Sequence, residues 1–210
     1  MTTPRRPSRK TASKRAVHPQ PVGRVVTDPR AMRALAHPLR VALLELMRRD
    51  GEITATRAAE LLGESPGNMS WHLQTLAKYG FVEDTGEGRG RSRPWRLASE
   101  GQSFDTGVAD PEVVAAGEAL ERTFSERTFA QLREWWSRRL TYPVKWRRAA
   151  YMSNSVVYLT AAELAEVTDE VNAIYTRYGE RSDPDKRPAG ALPVRLYAHG
   201  HPLQPTGSGN

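Results

Sequence analysis

Apolar residues recur at helical spacing in the first third of the chain and predict a succession of short helices. Along the stripe Met32–Met47, apolar side chains stand three and four positions apart. Pro38 interrupts this stripe, because a proline inside a helix removes a hydrogen bond and clashes with the preceding turn. We therefore expect one helix that ends at His37 and a second helix over Pro38–Arg49.

A further pair of helices is predicted over residues 54–79. The first spans Thr54–Leu62, a turn follows over Gly63–Pro66, and the second spans Gly67–Tyr79. Ser65 can cap the second helix, since its hydroxyl can accept a hydrogen bond from a free amide of the first turn. Apolar residues at spacings of four and three predict that one stripe of the second helix is buried, namely Met69, Leu73 and Leu76.

A Gly- and Arg-rich hairpin over Phe81–Leu97 follows this pair of helices. The order of elements predicts a mainly α (α+β) fold that begins with a winged helix-turn-helix domain. In such a domain the second helix can enter a major groove while the wing contacts phosphates or the adjacent minor groove. Double-stranded DNA is therefore the predicted partner.

The outward face of the second helix and the wing supply the candidate DNA contacts. Asn68 and Gln74 can each present a donor and an acceptor to adenine. Trp71 has two interpretations, contact with a thymine methyl group or sugar, and packing on a partner or on the wing. The wing arginines can contact phosphates, the alternative being a mobile charged loop. The predicted DNA-binding residues are Ser65, Gly67, Asn68, Ser70, Trp71, Gln74, Lys78, Arg89, Arg91 and Arg93.

These residues resemble a known family. Segment 28–97, about a third of the chain, resembles the ArsR-like winged helix-turn-helix transcriptional regulators of bacteria. The matching pieces are ALAHPLRVALLELM, ITATRAAELLGESPGNMSWHLQTLAKYGFV and the arginine-bearing wing. The resemblance implies a homodimer that binds an operator and regulates nearby genes. It also implies that His72, inside the second piece, packs and forms a hydrogen bond.

Charge and composition support a polyanionic partner and bound the other possibilities. The formal net charge is +7, and residues 1–24 hold seven basic and no acidic side chains. Residues 1–26 are predicted to be a disordered basic tail, either inert or in contact with DNA. There is no cysteine, no apolar run of membrane-spanning length and no signal-peptide pattern, so a cytoplasmic protein is expected.

The C-terminal half is predicted to be a second domain, over residues 110–200, that is helical or α+β. Residues 27–98 form the first domain, with a boundary at the polar segment 99–110 and a flexible tail over 201–210. A long helix from Pro111 to about Leu140 is expected, and a capped helix carries an apolar seam over Leu164–Tyr178. Val156–Leu159 and Pro193–His199 are predicted strands, and this strand–helix–strand order resembles, more weakly, the C-terminal half of some ArsR-like regulators.

The apolar stripes also predict self-association. Met32–Met47 and Leu164–Tyr178 together offer more apolar surface than one small winged domain can cover, so we expect a homodimer. The many aromatic residues over Phe124–Tyr178 are consistent with an ordinary core and dimer interface, or with a pocket for a small apolar or aromatic effector.

No motif indicates an enzyme, a cofactor or a metal. The chain lacks a Gly-rich phosphate loop and the H-E-x-x-H and G-x-S-x-G patterns. His199 and His201 form an H-x-H pair without identifiable further ligands, so no metal site is expected. Besides DNA binding, one function of another class stays open, a protein-interaction or ligand-sensing adaptor whose winged helix lacks sequence-specific DNA binding.

Overall fold

A computed structural model describes residues 24–88, 92–99, 102–104 and 110–204, and these ranges hold seven α-helices and five short strands. The helices are α1 (Pro29–Leu35), α2 (Pro38–Asp50), α3 (Ala55–Leu62), α4 (Pro66–Lys78), α5 (Pro111–Arg138), α6 (Val144–Ala149) and α7 (Ala161–Arg177). The strands are β1 (Arg24–Val26), β2 (Ile53–Thr54), β3 (Val82–Asp84), β4 (Pro94–Leu97) and β5 (Gln102–Phe104). Short 3-10 turns cover Arg139–Thr141, Gly179–Ser182 and Pro184–Lys186.

The helix boundaries arise from local chemistry. The break between α1 and α2 falls before Pro38, where the His37 ring Nδ1 accepts a hydrogen bond from the Leu39 amide. The hydroxyl of Ser65 accepts from the Asn68 amide at 3.1 Å and caps α4. Gly63 ends α3 with a φ of 71°, a left-handed conformation that glycine adopts without strain. The predicted order of four helices is thereby confirmed.

The wing is a three-stranded antiparallel sheet in the order β2–β4–β3. Ile53 of β2 pairs with Trp95 of β4, and Val82 of β3 pairs with Leu97 of β4. The hairpin therefore returns beside the strand that leads into α3. Helices, turn and sheet together form a winged helix-turn-helix arrangement in the N-terminal half.

A second, two-stranded sheet joins β1 to β5 in parallel, with Arg24 opposite Gln102. Val26 of β1 is buried in the core. The described end of the predicted basic tail, residues 24–26, is therefore folded, and the predicted disorder is wrong there. Residues 1–23 lie outside the described part of the chain.

The core of the winged domain continues into α5. Val113, Ala116 and Leu120 on the first turns of α5 are buried in the same cluster as Met32 and Leu35 of α1. The predicted boundary at 99–110 thus does not separate two cores. Most of the stripe Met32–Met47 is also covered within a single chain, and only Ala36 and Leu39 of it are partly exposed. That half of the sequence argument for a homodimer is wrong, because α5 supplies the missing cover.

The rest of the C-terminal half is helical and more open. Helix α7 has the predicted capping box between Thr160 and Glu163. The predicted strands Val156–Leu159 and Pro193–His199 are wrong, since both segments are irregular. A strand requires a hydrogen-bonded ladder partner, and neither segment takes part in a ladder among the described residues. In the second segment the Tyr197 and His199 rings stack with their centroids 6.3 Å apart.

One carboxylate ties the C-terminal half to the winged domain. Glu45 of α2 accepts hydrogen bonds from Arg127 Nε at 2.9 Å and from Gln131 Nε2 at 2.8 Å, both on α5. Arg195, in the segment beyond α7, also donates to Glu45. The Glu45 side chain is only 13% exposed, so three donors from distant parts of the sequence converge on a nearly buried charge.

We predict that Arg24→Ala destabilises the domain by about 1 kcal/mol. Arg24 Nη1 donates to the carbonyl oxygens of Tyr79 and Gly80 at 2.7 and 3.0 Å, at the negative end of the α4 dipole. Urea unfolding followed by circular dichroism measures the change. Arg30→Ala, an exposed arginine at the start of α1, serves as the control and should change stability by less than about 0.5 kcal/mol. Equal effects of the two variants would contradict the capping role.

Candidate nucleic-acid interface

The rotation of α4 about its axis decides which side chains it presents. Met69, Leu73 and Leu76 are fully buried in the core, together with the adjacent His72. The opposite side of the helix is therefore turned to solvent. The predicted buried stripe is confirmed residue by residue.

Three side chains form the centre of the solvent-facing side of α4. Trp71, Gln74 and Lys78 follow one another at spacings of three and four and are all exposed. Gly67, one turn earlier, continues this row and has open space around its Cα. The row therefore presents an aromatic ring, an amide and an ammonium group along the helix.

Asn68 and Ser70 lie at the flanks of this row and are partly buried. Asn68 Nδ2 donates to Glu64 Oε2 at 2.9 Å, so its amide is engaged by a carboxylate of the turn. Gln74 Nε2 stands 3.4 Å from the Ser70 hydroxyl, a long contact that leaves the amide available. Gln74 is thus the better placed of the two predicted adenine-reading residues. Ser65 is exposed, and its hydroxyl serves as the helix cap.

Trp71 packs on its own chain and remains 56% exposed. The Arg40 guanidinium of α2 lies 5.3 Å from the centre of a Trp71 ring, a cation–π contact. The His72 ring meets Trp71 edge-on at 4.8 Å. Within its own chain Trp71 thus packs on α2, while contact of its exposed face with DNA or with a partner stays a prediction. The orientation of the indole is fixed while its outer face stays open.

Arg40 is a buried cation that has no carboxylate partner among the described residues. Its Nε donates to Nδ1 of His72 at 3.3 Å, and its Nη1 donates to the carbonyl of Ala34. The His37 ring is 4.6 Å from the His72 ring. Burial first, and then the neighbouring His37 and Arg40, lower the pKa of His72 to about 4, against a smaller opposing effect of Glu64. His72 therefore stays neutral and accepts the Arg40 hydrogen bond at neutral pH.

The described part of the wing carries paired arginines. Arg93 Nη1 lies 3.1 Å from Asp84 Oδ2, and Arg96 Nε donates to Glu83 Oε1 at 2.7 Å. The wing is thus less positive than its arginines alone suggest. Arg89 and Arg91 lie outside the described residues.

Sequence reasoning missed three residues that shape this surface. Arg40 supports Trp71, Glu64 binds Asn68, and Arg24 caps the C-terminal end of α4. Arg40 bonds His72 across 32 positions and Arg24 bonds Tyr79 across 55, and no spacing rule connects such residues. Glu64 stands four positions before Asn68, a spacing that a helical surface pair follows, and this was the one local indication.

The family comparison falls on the same elements. Residues 35–85 match the model of a family described as a helix-turn-helix domain. No curated protein matches the chain. The matched stretch runs from the end of α1 through β3 and includes the whole of α4. The chain thus contains a helix-turn-helix domain, a type of domain associated with DNA binding and transcription regulation.

None of the described helices is long and apolar enough to cross a membrane. The rings of His199 and His201 are 4.9 Å apart. The described residues contain no group of three or more His, Cys, Asp or Glu side chains that could hold a metal ion.

We predict that acid destabilises this domain partly through His72. Its pKa is lower in the folded chain than its ordinary 6.5, so the unfolded chain binds a proton more readily. The stabilising contribution is therefore complete above about pH 6.5 and is lost as the pH falls towards 4.

The variant His72→Gln keeps an acceptor for Arg40 and removes the titration. We expect wild type to lose roughly 1 to 3 kcal/mol more than the variant between pH 6.5 and 4. Urea unfolding at a series of pH values measures both. Parallel pH profiles for the two proteins would show that His72 does not titrate in this way.

Proposed function

We propose that this protein is a sequence-specific double-stranded DNA-binding transcriptional regulator of the ArsR-like type that acts as a homodimer and not as an enzyme. The observation that carries the proposal is the exposed row Trp71, Gln74 and Lys78 on α4, opposite the buried stripe of the same helix. A helix with one side fixed in the core and the other open beside a wing has the geometry that major-groove reading requires.

In this proposal the residues divide the work. Gln74 reads a base edge through its amide, and Trp71 contacts a thymine methyl group or a sugar with the open face of its indole. Phosphates are contacted by four basic side chains, Lys78, Arg89, Arg91 and Arg93. Ser65 and Gly67 are small and let the start of the helix approach the DNA closely. Asn68 and Ser70 contact the DNA at the edge of the groove. For Asn68 this requires that its amide leave Glu64.

The ion pairs of the wing favour a second candidate, a protein-interaction or ligand-sensing adaptor. Since Arg93 and Arg96 are paired within the hairpin, part of the positive charge is already neutralised. An adaptor would bind random and selected duplexes alike, and weakly at physiological salt. Whether the protein is a regulator or an adaptor, we propose that an effector binds to residues 111–200. A small apolar or aromatic molecule would suit the exposed aromatic side chains of that segment.

We predict that Gln74→Ala weakens binding to a duplex selected from a random pool by about 1–3 kcal/mol and relaxes one base preference. Lys78→Ala should weaken all duplexes alike and reduce the salt slope by about one. Fluorescence anisotropy over a salt series measures both, with Glu118→Ala on α5 as the control. A wild-type protein that enriches no sequence from the pool would favour the adaptor.

We also predict that Asp84→Asn strengthens binding to every duplex and steepens the salt dependence by up to about one ion. The substitution removes the carboxylate that pairs with Arg93 and so frees the guanidinium for a phosphate. Adding Arg93→Ala should cancel the gain. Glu134→Gln, which breaks an ion pair with Arg138 on α5, is the matched control. If the control has the same effect, net charge alone explains the result.

A further inference from the structure

Helix α7 presents a surface of acidic and apolar side chains to solvent. Glu166 and Glu170 stand four positions apart on its solvent-facing side, next to Val167 and Ile174, which are 44% and 43% exposed. Neither glutamate makes an ion pair or a side-chain hydrogen bond in the described part of the chain. Like charges at this spacing destabilise a helix. An opposite charge from outside the helix would relieve that cost.

The short helix α6 presents the opposite charge. Lys145 and Arg148 stand three positions apart and are exposed, and neither makes an ion pair among the described residues. Val144 on the same helix is 50% exposed, and Leu140 in the preceding turn is 73% exposed. This surface therefore offers two bases beside two apolar side chains, the complement of the surface on α7.

We propose that α7 of one chain docks on α6 of a second copy, with Glu166 and Glu170 facing Lys145 and Arg148. This inference rests on the homodimer of the proposed function and names its contact. Each copy carries both surfaces, and within one chain no ion pair joins the two helices in the described residues. A two-fold axis would use each surface once per chain and so form the contact twice.

Charge reversal tests the contact without altering the core. In the variant Glu166→Lys/Glu170→Lys, every α7–α6 contact of a homodimer brings like charges together. The same is true of Lys145→Glu/Arg148→Glu. We expect the dimer dissociation constant of each variant to rise at least about tenfold at low salt. Sedimentation velocity measures it, and Glu118→Lys/Glu121→Lys on α5 is the matched charge control.

An equimolar mixture of the two variants separates contact between copies from contact within a chain. In the mixed dimer both contacts join opposite charges, so we expect association to return to within about threefold of wild type. A chain that carries all four substitutions should also associate with itself. A wild-type far-UV circular dichroism spectrum and a cooperative thermal transition show that each double variant is folded.

The outcomes separate this inference from the proposed function. Dimerisation of both charge-reversed variants at wild-type strength overturns the contact but leaves the homodimer intact. Recovery in the four-substitution chain without recovery in the mixture places the pairing within one chain and also overturns it. Loss of DNA binding by Lys145→Glu/Arg148→Glu with no change in association would assign α6 to DNA instead. A wild type that stays monomeric at tens of micromolar, with and without DNA, overturns the homodimer itself.

Discussion

The burial of one side of α4 is the constraint on which the candidate interface depends. Met69, Leu73 and Leu76 are fully buried, and exposing any of them would cost roughly 1.5–3 kcal/mol. No surface contact of the helix offsets a cost of that size three times over. The rotation of α4 about its axis is therefore set by the core. Gln74 and Lys78 are exposed because other residues of the helix are buried, although neither of the two packs in the core.

A polar contact beneath the helix complements this apolar constraint. The Arg40 guanidinium is buried at the edge of the core. It donates hydrogen bonds to the neutral ring of His72 and to a backbone carbonyl. Because the same guanidinium supports the indole of Trp71, the exposed aromatic group is held by the buried network. The stability of the domain and the orientation of a candidate DNA contact are thus coupled through one arginine.

How well a feature could be predicted from the sequence depends on how far apart along the chain its interacting residues lie. Helix spans and caps depend on neighbours within four positions, and they agree with the structure, as at Ser65 and Gly63. The strand β1 and the Arg24 cap depend on distant residues that no pattern connects. Val156–Leu159 has the composition of a strand, but composition supplies no ladder partner. The outward side of α4 follows from its local apolar pattern, whereas the contact of Asn68 with Glu64 was missed although it is local, since the two residues are four positions apart.

Contacts between the two halves of the chain could let binding at the C-terminal half change DNA binding by α4. Helix α2 packs on α4, and its Glu45 receives donors from α5 and from the segment around Arg195. Both C-terminal elements therefore act on the helix that supports the candidate recognition surface. A ligand or partner that binds the C-terminal half changes DNA binding only if it favours one arrangement of these elements over another. Since Glu45 receives donors from both elements, moving either one away from α2 breaks charged hydrogen bonds, and the two elements are expected to move with α2 as one unit.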